Sequence, residues 1–103
     1  MKLRAIAHSR SGDKGAVLNI SLIAFDERDY PHLVRHATAA RVRAHFIDLV
    51  DGDVIRYELP CIAALNFVLR GRVDGGVTRT LALDGHGKSL SSALLDMEIP
   101  DAD

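Results

Sequence analysis

A short polar stretch between two apolar runs constrains the fold of this chain most. Polar residues 9–15 separate an alternating segment over residues 2–8 from an apolar segment over residues 16–25. Because the connection is short, the flanking segments are predicted to form an antiparallel pair of strands. The connection holds two glycines, two serines and three charged side chains, which is more chemistry than a turn requires.

Length and composition limit the class of protein. The 103 residues suffice for one domain with one hydrophobic core, predicted to span residues 1–103, and a hydrophobic content of 48% argues against disorder. A net charge of −1 argues against nucleic acid or an anionic membrane as the partner. The single cysteine, Cys61, excludes an intrachain disulfide. Since no apolar run is long enough for a signal peptide or a membrane span, we expect a cytoplasmic protein.

The rest of the chain is predicted to alternate helices and strands. The predicted elements are a helix over residues 29–36, a helix over 38–50 capped by Thr38, a strand over 54–59, a helix over 62–70, a strand over 77–83 and a last helix that Ser89 caps, with Leu90, Leu94 and Met97 facing inward. In the strand over 54–59, Ile55, Tyr57 and Leu59 share one face and Arg56 and Glu58 the other. This order predicts an α+β fold, a four-stranded mixed sheet with helices on one face, as in a ferredoxin-like sandwich.

The polar connection over residues 9–15 is a candidate anion site. Successive backbone N–H groups in a glycine-rich turn form a concavity that holds an anion, and Arg10 and Lys14 add charged donors for a phosphate or carboxylate. It is not a P-loop, because the Gly-Lys-Ser/Thr ending is absent and no helix follows. The alternative is a solvated turn in which Asp13 pairs with Arg10 or Lys14.

Four further side chains each have a functional and a structural interpretation. His8, at a strand end, is either a general base or a hydrogen-bond partner of a loop carbonyl. Asn19 and Asn66 stand in apolar sequence, so each amide either anchors loops or contacts a ligand. Cys61 is either a nucleophile at a helix N-terminus or a small buried side chain.

No metal or cofactor site is predicted. His32 and His36 are spaced as an i, i+4 pair, but the sequence has no HExxH motif and no nearby carboxylate at zinc spacing. A second basic, glycine-containing connection begins at Arg70-Gly71-Arg72 and continues through Gly75-Gly76. If it lies near the first connection, the two form a positive pocket between strand ends.

Several motifs together resemble the small domain of the acyclic terpene utilisation protein A (AtuA) family. They are Arg10-Ser11-Gly12-Asp13-Lys14-Gly15, Asn19, Leu65-Asn66-Phe67-Val68-Leu69, Gly75-Gly76-Val77, Asp84, Gly87-Lys88 and Leu94-Leu95, and they cover nearly the whole chain. The resemblance implies a ferredoxin-like domain, typically the C-terminal part of a longer protein and here a chain on its own. It also implies a link to catabolism of acyclic terpenes through acyl-CoA intermediates. Two positions depart from the family pattern, since Ala16 and Cys61 stand where polar residues are expected.

Three hypotheses for function follow. The first is a small accessory domain that forms a homo-oligomer and holds an anionic ligand such as a carboxylate or CoA phosphate. Its predicted ligand-binding residues are Arg10, Ser11, Gly12, Asp13, Lys14, Gly15, Asn19 and Asn66. The second is an enzyme acting on an acyl-CoA or hydroxy acid, with Asp13 or His8 as general acid or base. The third is a structural subunit that docks on a separate large AtuA-type domain.

Overall fold

The computed structural model describes residues 1–14, 17–74, 77–78 and 90–101, and at residues 13–14, 73–74 and 77–78 the backbone alone. Four strands form one sheet in the order β1-β2-β4-β3, and every pair in it is antiparallel. The strands are β1 (Ala7–Lys14), β2 (Val17–Ala24), β3 (Ile55–Leu59) and β4 (Ala64–Arg70). A two-stranded ribbon of β5 (Val73–Asp74) and β6 (Val77–Thr78) follows.

Within the described ranges, three short helices cover one face of this sheet. They are α1 (Tyr30–His36), α2 (Ala39–His45) and α3 (Leu90–Leu95), and 3₁₀ turns lie at Leu3–Ala5, Glu27–Asp29 and Pro60–Ile62. Their buried side chains, among them Leu33, Val42 and Leu94, share one core with alternate residues of the strands. None of the helices in the described ranges is long and apolar enough to cross a membrane.

Burial in the two central strands follows the two-residue period of an extended chain. Leu18, Ile20 and Leu22 of β2 are buried, and in β4 the buried residues are Leu65, Phe67 and Leu69, with Ala64 at the start. Residues directly paired between the strands, such as Ile20 and Phe67, lie on the same face. The core therefore lies between the helices and one face of the sheet.

The α+β class, the ferredoxin-like layering and several elements are confirmed. Helix α1 occupies the predicted segment, and Thr38 caps α2 by accepting a hydrogen bond from the Arg41 amide at 3.1 Å. Leu90, Leu94 and Met97 are buried as predicted. The predicted Ser89 cap and most of the predicted strand over 77–83 lie outside the described residues.

Other predicted elements are wrong. The predicted helix over residues 62–70 is strand β4, whose core-facing residues Leu65, Phe67 and Leu69 alternate with Asn66 and Val68 of the opposite face. The helix over 38–50 ends at His45. The alternating segment before residue 7 contains the 3₁₀ turn at Leu3–Ala5, and β1 continues through most of the predicted loop. The sheet is antiparallel rather than mixed, since β4 returns directly between its neighbours as a strand and no helix joins β3 to β4.

Candidate functional site

The sheet face opposite the helices carries polar and apolar side chains in cross-strand rows. Because directly paired residues point to the same side, the register defines three complete rows across β1, β2, β4 and β3. The rows are His8, Ile23, Ala64 and Leu59; Arg10, Ser21, Asn66 and Tyr57; and Gly12, Asn19, Val68 and Ile55. Below them Val17 of β2 pairs with Arg70 of β4. We call this set of residues the open face.

The apolar side chains of β3 belong to the open face. Ile55, Tyr57 and Leu59 are 51%, 52% and 41% exposed, respectively. The sequence correctly separated them from Arg56 and Glu58, and the structure shows that the apolar set is the one facing away from the helices. The sheet thus presents an aliphatic and aromatic edge to solvent, and no residue of β3 is fully buried on either side.

A polar row crosses the middle of the open face. Arg10 is exposed on the outer strand, and Asn66 is half-buried on β4. The Ser21 hydroxyl donates a hydrogen bond to Oδ1 of Asn66 at 3.2 Å, and the Ser9 hydroxyl donates to the Ser21 carbonyl at 2.8 Å. Within the described part of the chain, no hydrogen bond engages the Asn66 amide nitrogen, so this nitrogen is available as a donor.

The predicted anion-binding loop is, over its described length, a strand. Arg10, Ser11 and Gly12 pair with residues of β2, so their amides alternate in direction and do not form the concavity predicted for a glycine-rich turn. Asp13 and Lys14 pair through their backbones with Leu18 and Val17. Gly15 lies outside the described residues.

The structure nevertheless brings several of the predicted site residues to one surface. Arg10, Gly12, Asn19 and Asn66 all belong to the open face, while Ser11 pairs with Ile20 and so lies on the opposite face. A Cβ added to Gly12 would meet nothing within 4 Å, which leaves space beside the strand. Asn19 is exposed rather than surrounded by apolar side chains, because it lies on the uncovered side of β2.

Of the two candidate general bases, His8 has a described side chain, whereas the side chain of Asp13 lies outside the described part of the structure. The exposed His8 ring stacks on Phe25, with ring centroids 5.4 Å apart and an interplanar angle of 23°. Among the described residues, no carboxylate forms an ion pair with His8. Cys61 is exposed in the 3₁₀ turn at Pro60–Ile62, so it is neither buried nor at the start of an α-helix.

Sequence reasoning missed the contribution of Tyr57 and Ile55 to this surface. The available signal was their alternation with charged residues in a strand that ends at Pro60, which left the buried side undecided. Arg70, from the second basic connection, is exposed and pairs with Val17 at the same end of the sheet as the end of β1. The second basic connection therefore adds a cation to the lower edge of the open face.

An open pocket lies at this lower corner of the open face. It has a volume of about 440 Å³, and its lining includes Val17, Val68 and Arg70 together with the turn Asp51-Gly52-Asp53. The turn is held against the sheet by the Asp51 amide, which donates to the Arg70 carbonyl at 2.7 Å. Among the described residues, no group of three or more His, Cys, Asp or Glu side chains is arranged to hold a metal ion.

Comparison with known proteins places this architecture in a family. A scan against protein-family models matches residues 1–100 to the model described as the AtuA ferredoxin-like domain. Searches among curated proteins and among solved structures find no significant match. The family evidence therefore covers nearly the whole chain and rests on the family model.

Proposed function

Because the chain belongs to the family of AtuA ferredoxin-like domains, we propose that it is an accessory domain of acyl-CoA catabolism that binds an anionic, partly aliphatic ligand on its open face. One observation carries this proposal. The row of Arg10, Ser21, Asn66 and Tyr57 sets a guanidinium, an amide and an aromatic ring side by side on one uncovered surface. The sequence predicts the anion site in the loop over residues 9–15, whereas we propose it on the strands of the open face.

The polar end of the ligand binds at Arg10 and Asn66. A guanidinium donates two parallel hydrogen bonds to a carboxylate or phosphate. Arg10 and Asn66 lie two strands apart, about 10 Å between backbones, and both flank Ser21. Since no described carboxylate forms an ion pair with Arg10, the guanidinium needs no rearrangement of a described ion pair to accept an anion.

The apolar end of the ligand lies toward β3. Ile55, Tyr57 and Val68 offer exposed or half-buried apolar surface next to the polar row. Burial of a methylene group contributes about 0.8 kcal/mol, which corresponds to roughly a fourfold gain in affinity. Affinity is therefore expected to rise with the length of the acyl chain, up to the width of the sheet, and this separates an acyl ligand from inorganic phosphate.

Titration calorimetry with straight-chain carboxylates of increasing length, and with their CoA thioesters, tests this function. The Arg10→Ala variant should bind these ligands about tenfold or more weakly, because it loses a charge-assisted pair. Arg35→Ala is the matched control, since Arg35 is an exposed arginine on α1 and does not belong to the open face. Equal affinity of the wild type and Arg10→Ala would refute the proposed site.

A second candidate function is docking on a separate, larger AtuA-type domain. It is favoured by Phe25 and Ile62, which are 66% and 62% exposed and extend the apolar surface beyond the sheet. The Ala24 amide donates to the Ala63 carbonyl at 3.0 Å and brings these two segments together. If this docking is correct, the double variant Phe25→Ser with Ile62→Ser should no longer co-purify with such a domain. The affinity of the open face for its ligand should be unchanged.

A further inference from the structure

We propose that the open face also binds a second copy of this chain, face to face, about a two-fold axis parallel to the strands. The inference uses the same surface as the proposed ligand site, but it requires no ligand. Its occupant follows from how apolar and charged side chains are divided between the two edges of the sheet.

The exposed surface of β3 and its neighbours is apolar. Ile55, Tyr57 and Leu59 are exposed large apolar residues on adjacent rows, and Val68 and Ile23 continue the surface toward the centre of the sheet. Contiguous apolar surface of this kind marks an interaction site in soluble proteins. Two sheets bury such surfaces by packing about 10 Å apart with aligned strands.

The positions of the charged side chains determine the orientation of the second copy. The cationic side chain Arg10 and the imidazole of His8 lie on β1, at one edge of the sheet, and the apolar residues lie on β3, at the other edge. A two-fold axis in the plane of the sheet but perpendicular to the strands would place β1 on β1 and bring the two Arg10 guanidinium groups together. An axis parallel to the strands places β1 over the β3 of the second copy.

This second arrangement removes the repulsion between like charges. The β1 and β3 edges are three strand spacings apart, about 14 Å, which exceeds the screening length of about 8 Å at physiological ionic strength. The two Arg10 side chains therefore lie at opposite edges of the dimer. Each faces an apolar edge of the other copy, where no described side chain of the open face is a carboxylate.

The same arrangement places each residue of a cross-strand row opposite a different residue of the same row in the partner. Arg10 lies over the partner's Tyr57, which permits a cation–π contact. Ser21 lies over the partner's Asn66, so that a hydroxyl meets an amide. Gly12 has no side chain and nothing within 4 Å of an added Cβ, so it leaves room for the partner's Ile55. An isologous two-fold contact requires this type of pairing between different residues of one patch.

The size of the face predicts a reversible dimer. Four strands and three complete rows cover on the order of 400 Å² of each copy, which is about half of what a standard stable interface buries per partner. The association is therefore expected to be reversible and to depend on protein concentration.

Sedimentation equilibrium of the ligand-free protein, from about 1 µM to about 1 mM, tests the association. The wild type should show a monomer–dimer equilibrium. Tyr57→Lys should raise the dissociation constant about tenfold or more, because it faces Arg10 of the second copy. Ile47→Lys is the control, since Ile47 is similarly exposed, at 49%, and follows α2 outside the sheet. Circular dichroism establishes that each variant is folded.

A reciprocal charge exchange tests the orientation. Arg10→Glu combined with Tyr57→Lys should restore the dissociation constant to within about threefold of the wild type, because each glutamate then faces the partner's lysine. The two residues of one chain are about 14 Å apart and cannot compensate for one another within it. A monomer at all concentrations, an equal effect of Ile47→Lys, or no recovery in the double variant would each overturn the proposal. Since no ligand is present, these outcomes are independent of the ligand titration.

Discussion

Asp26 shows how one side chain sets the exit of the chain from the sheet. Its carboxylate caps the 3₁₀ turn at Glu27–Asp29 by accepting the Arg28 amide hydrogen at 2.9 Å, and the Arg28 guanidinium donates to both of its oxygens. The guanidinium bonds, and then the backbone bond, lower the pKa of Asp26 from 3.8 to about 2. This turn leads from β2 toward α1, so the pair helps fix where the helical layer begins.

Removal of the guanidinium should raise the pKa of Asp26 only part of the way. In Arg28→Ala the side-chain bonds are lost, while the backbone amide of residue 28 still donates, so the pKa should settle between about 2 and 3.8. A carboxyl with a lowered pKa stabilises the fold above its ordinary pKa. That contribution is lost as the pH falls from 3.8 toward about 2. NMR titration of the Asp26 carboxyl carbon measures this, and an unchanged pKa in the variant would contradict the assignment of Arg28 as the main cause.

The orientation of β3 is fixed by its contact with α1. The side chain of Arg56 is 18% exposed. Its guanidinium donates to the carbonyls of Val34 and Ala37 at 2.7 and 3.1 Å and pairs with Glu58 at 3.2 Å. Carbonyls at a helix C-terminus lack partners within the helix. Because residues of a strand alternate in direction, holding Arg56 under the helix forces Ile55 and Tyr57 outward. The capping bonds of Arg56 thus favour the orientation in which the apolar side chains of β3 lie on the open face.

Replacement of Arg56 should therefore destabilise the domain. Arg56→Ala leaves two partly buried carbonyls without their donor, which is expected to cost about 1–3 kcal/mol in the free energy of unfolding. Arg56→Lys should recover part of this loss, because its ammonium group can donate to these carbonyls but lacks the fixed planar geometry of the guanidinium. Urea unfolding measures both variants against Arg35→Ala, an exposed substitution expected to stay within about 0.5 kcal/mol of the wild type. Equal stability of Arg56→Ala and Arg35→Ala would show that the capping bonds contribute nothing.

Element by element, the sequence predicts the helical layer better than the sheet. Helix α1 and the Thr38 cap of α2 carry local signals, a proline in the first turn and a capping hydroxyl. Strand β4 carries none, because its core-facing residues Leu65 and Leu69 are interleaved with Val68 on the open face. A short, mostly apolar central strand has the same short-range pattern as a buried helix. Its identity depends on partners from distant parts of the chain.

The geometry of the candidate site likewise depends on pairing between distant parts of the chain. Arg10 could be selected from sequence as a cation in the polar stretch 9–15, and Asn66 as a polar residue among apolar neighbours. Their placement depends on the pairing of β1 with β2 and of β2 with β4. Residues 9–14 of β1 are predicted as a loop because an edge strand with a solvent-facing side needs no apolar alternation. Tyr57 could not be assigned to the site, since the sequence does not say which side of β3 the helices cover.

At the scale of the whole molecule, one surface serves two occupants. The anionic end of the ligand and the partner's Tyr57 both contact the guanidinium of Arg10. The acyl chain of the ligand covers the same β3 residues that the second copy buries. Two binding events that require the same groups are linked with opposite signs. Ligand concentration therefore controls the fraction of dimer, and this relation can be measured without knowing the natural ligand.

A saturating carboxylate should dissociate the dimer. At ten times its dissociation constant a ligand leaves about one site in eleven free, and both copies must be free to associate, so the apparent dimer dissociation constant rises about a hundredfold. Sedimentation equilibrium with octanoate, and with octanamide as the uncharged control, measures this. Octanamide should have little effect because it offers Arg10 no anion. If octanoate strengthens the dimer, ligand and partner lie side by side on the open face and do not compete for Arg10.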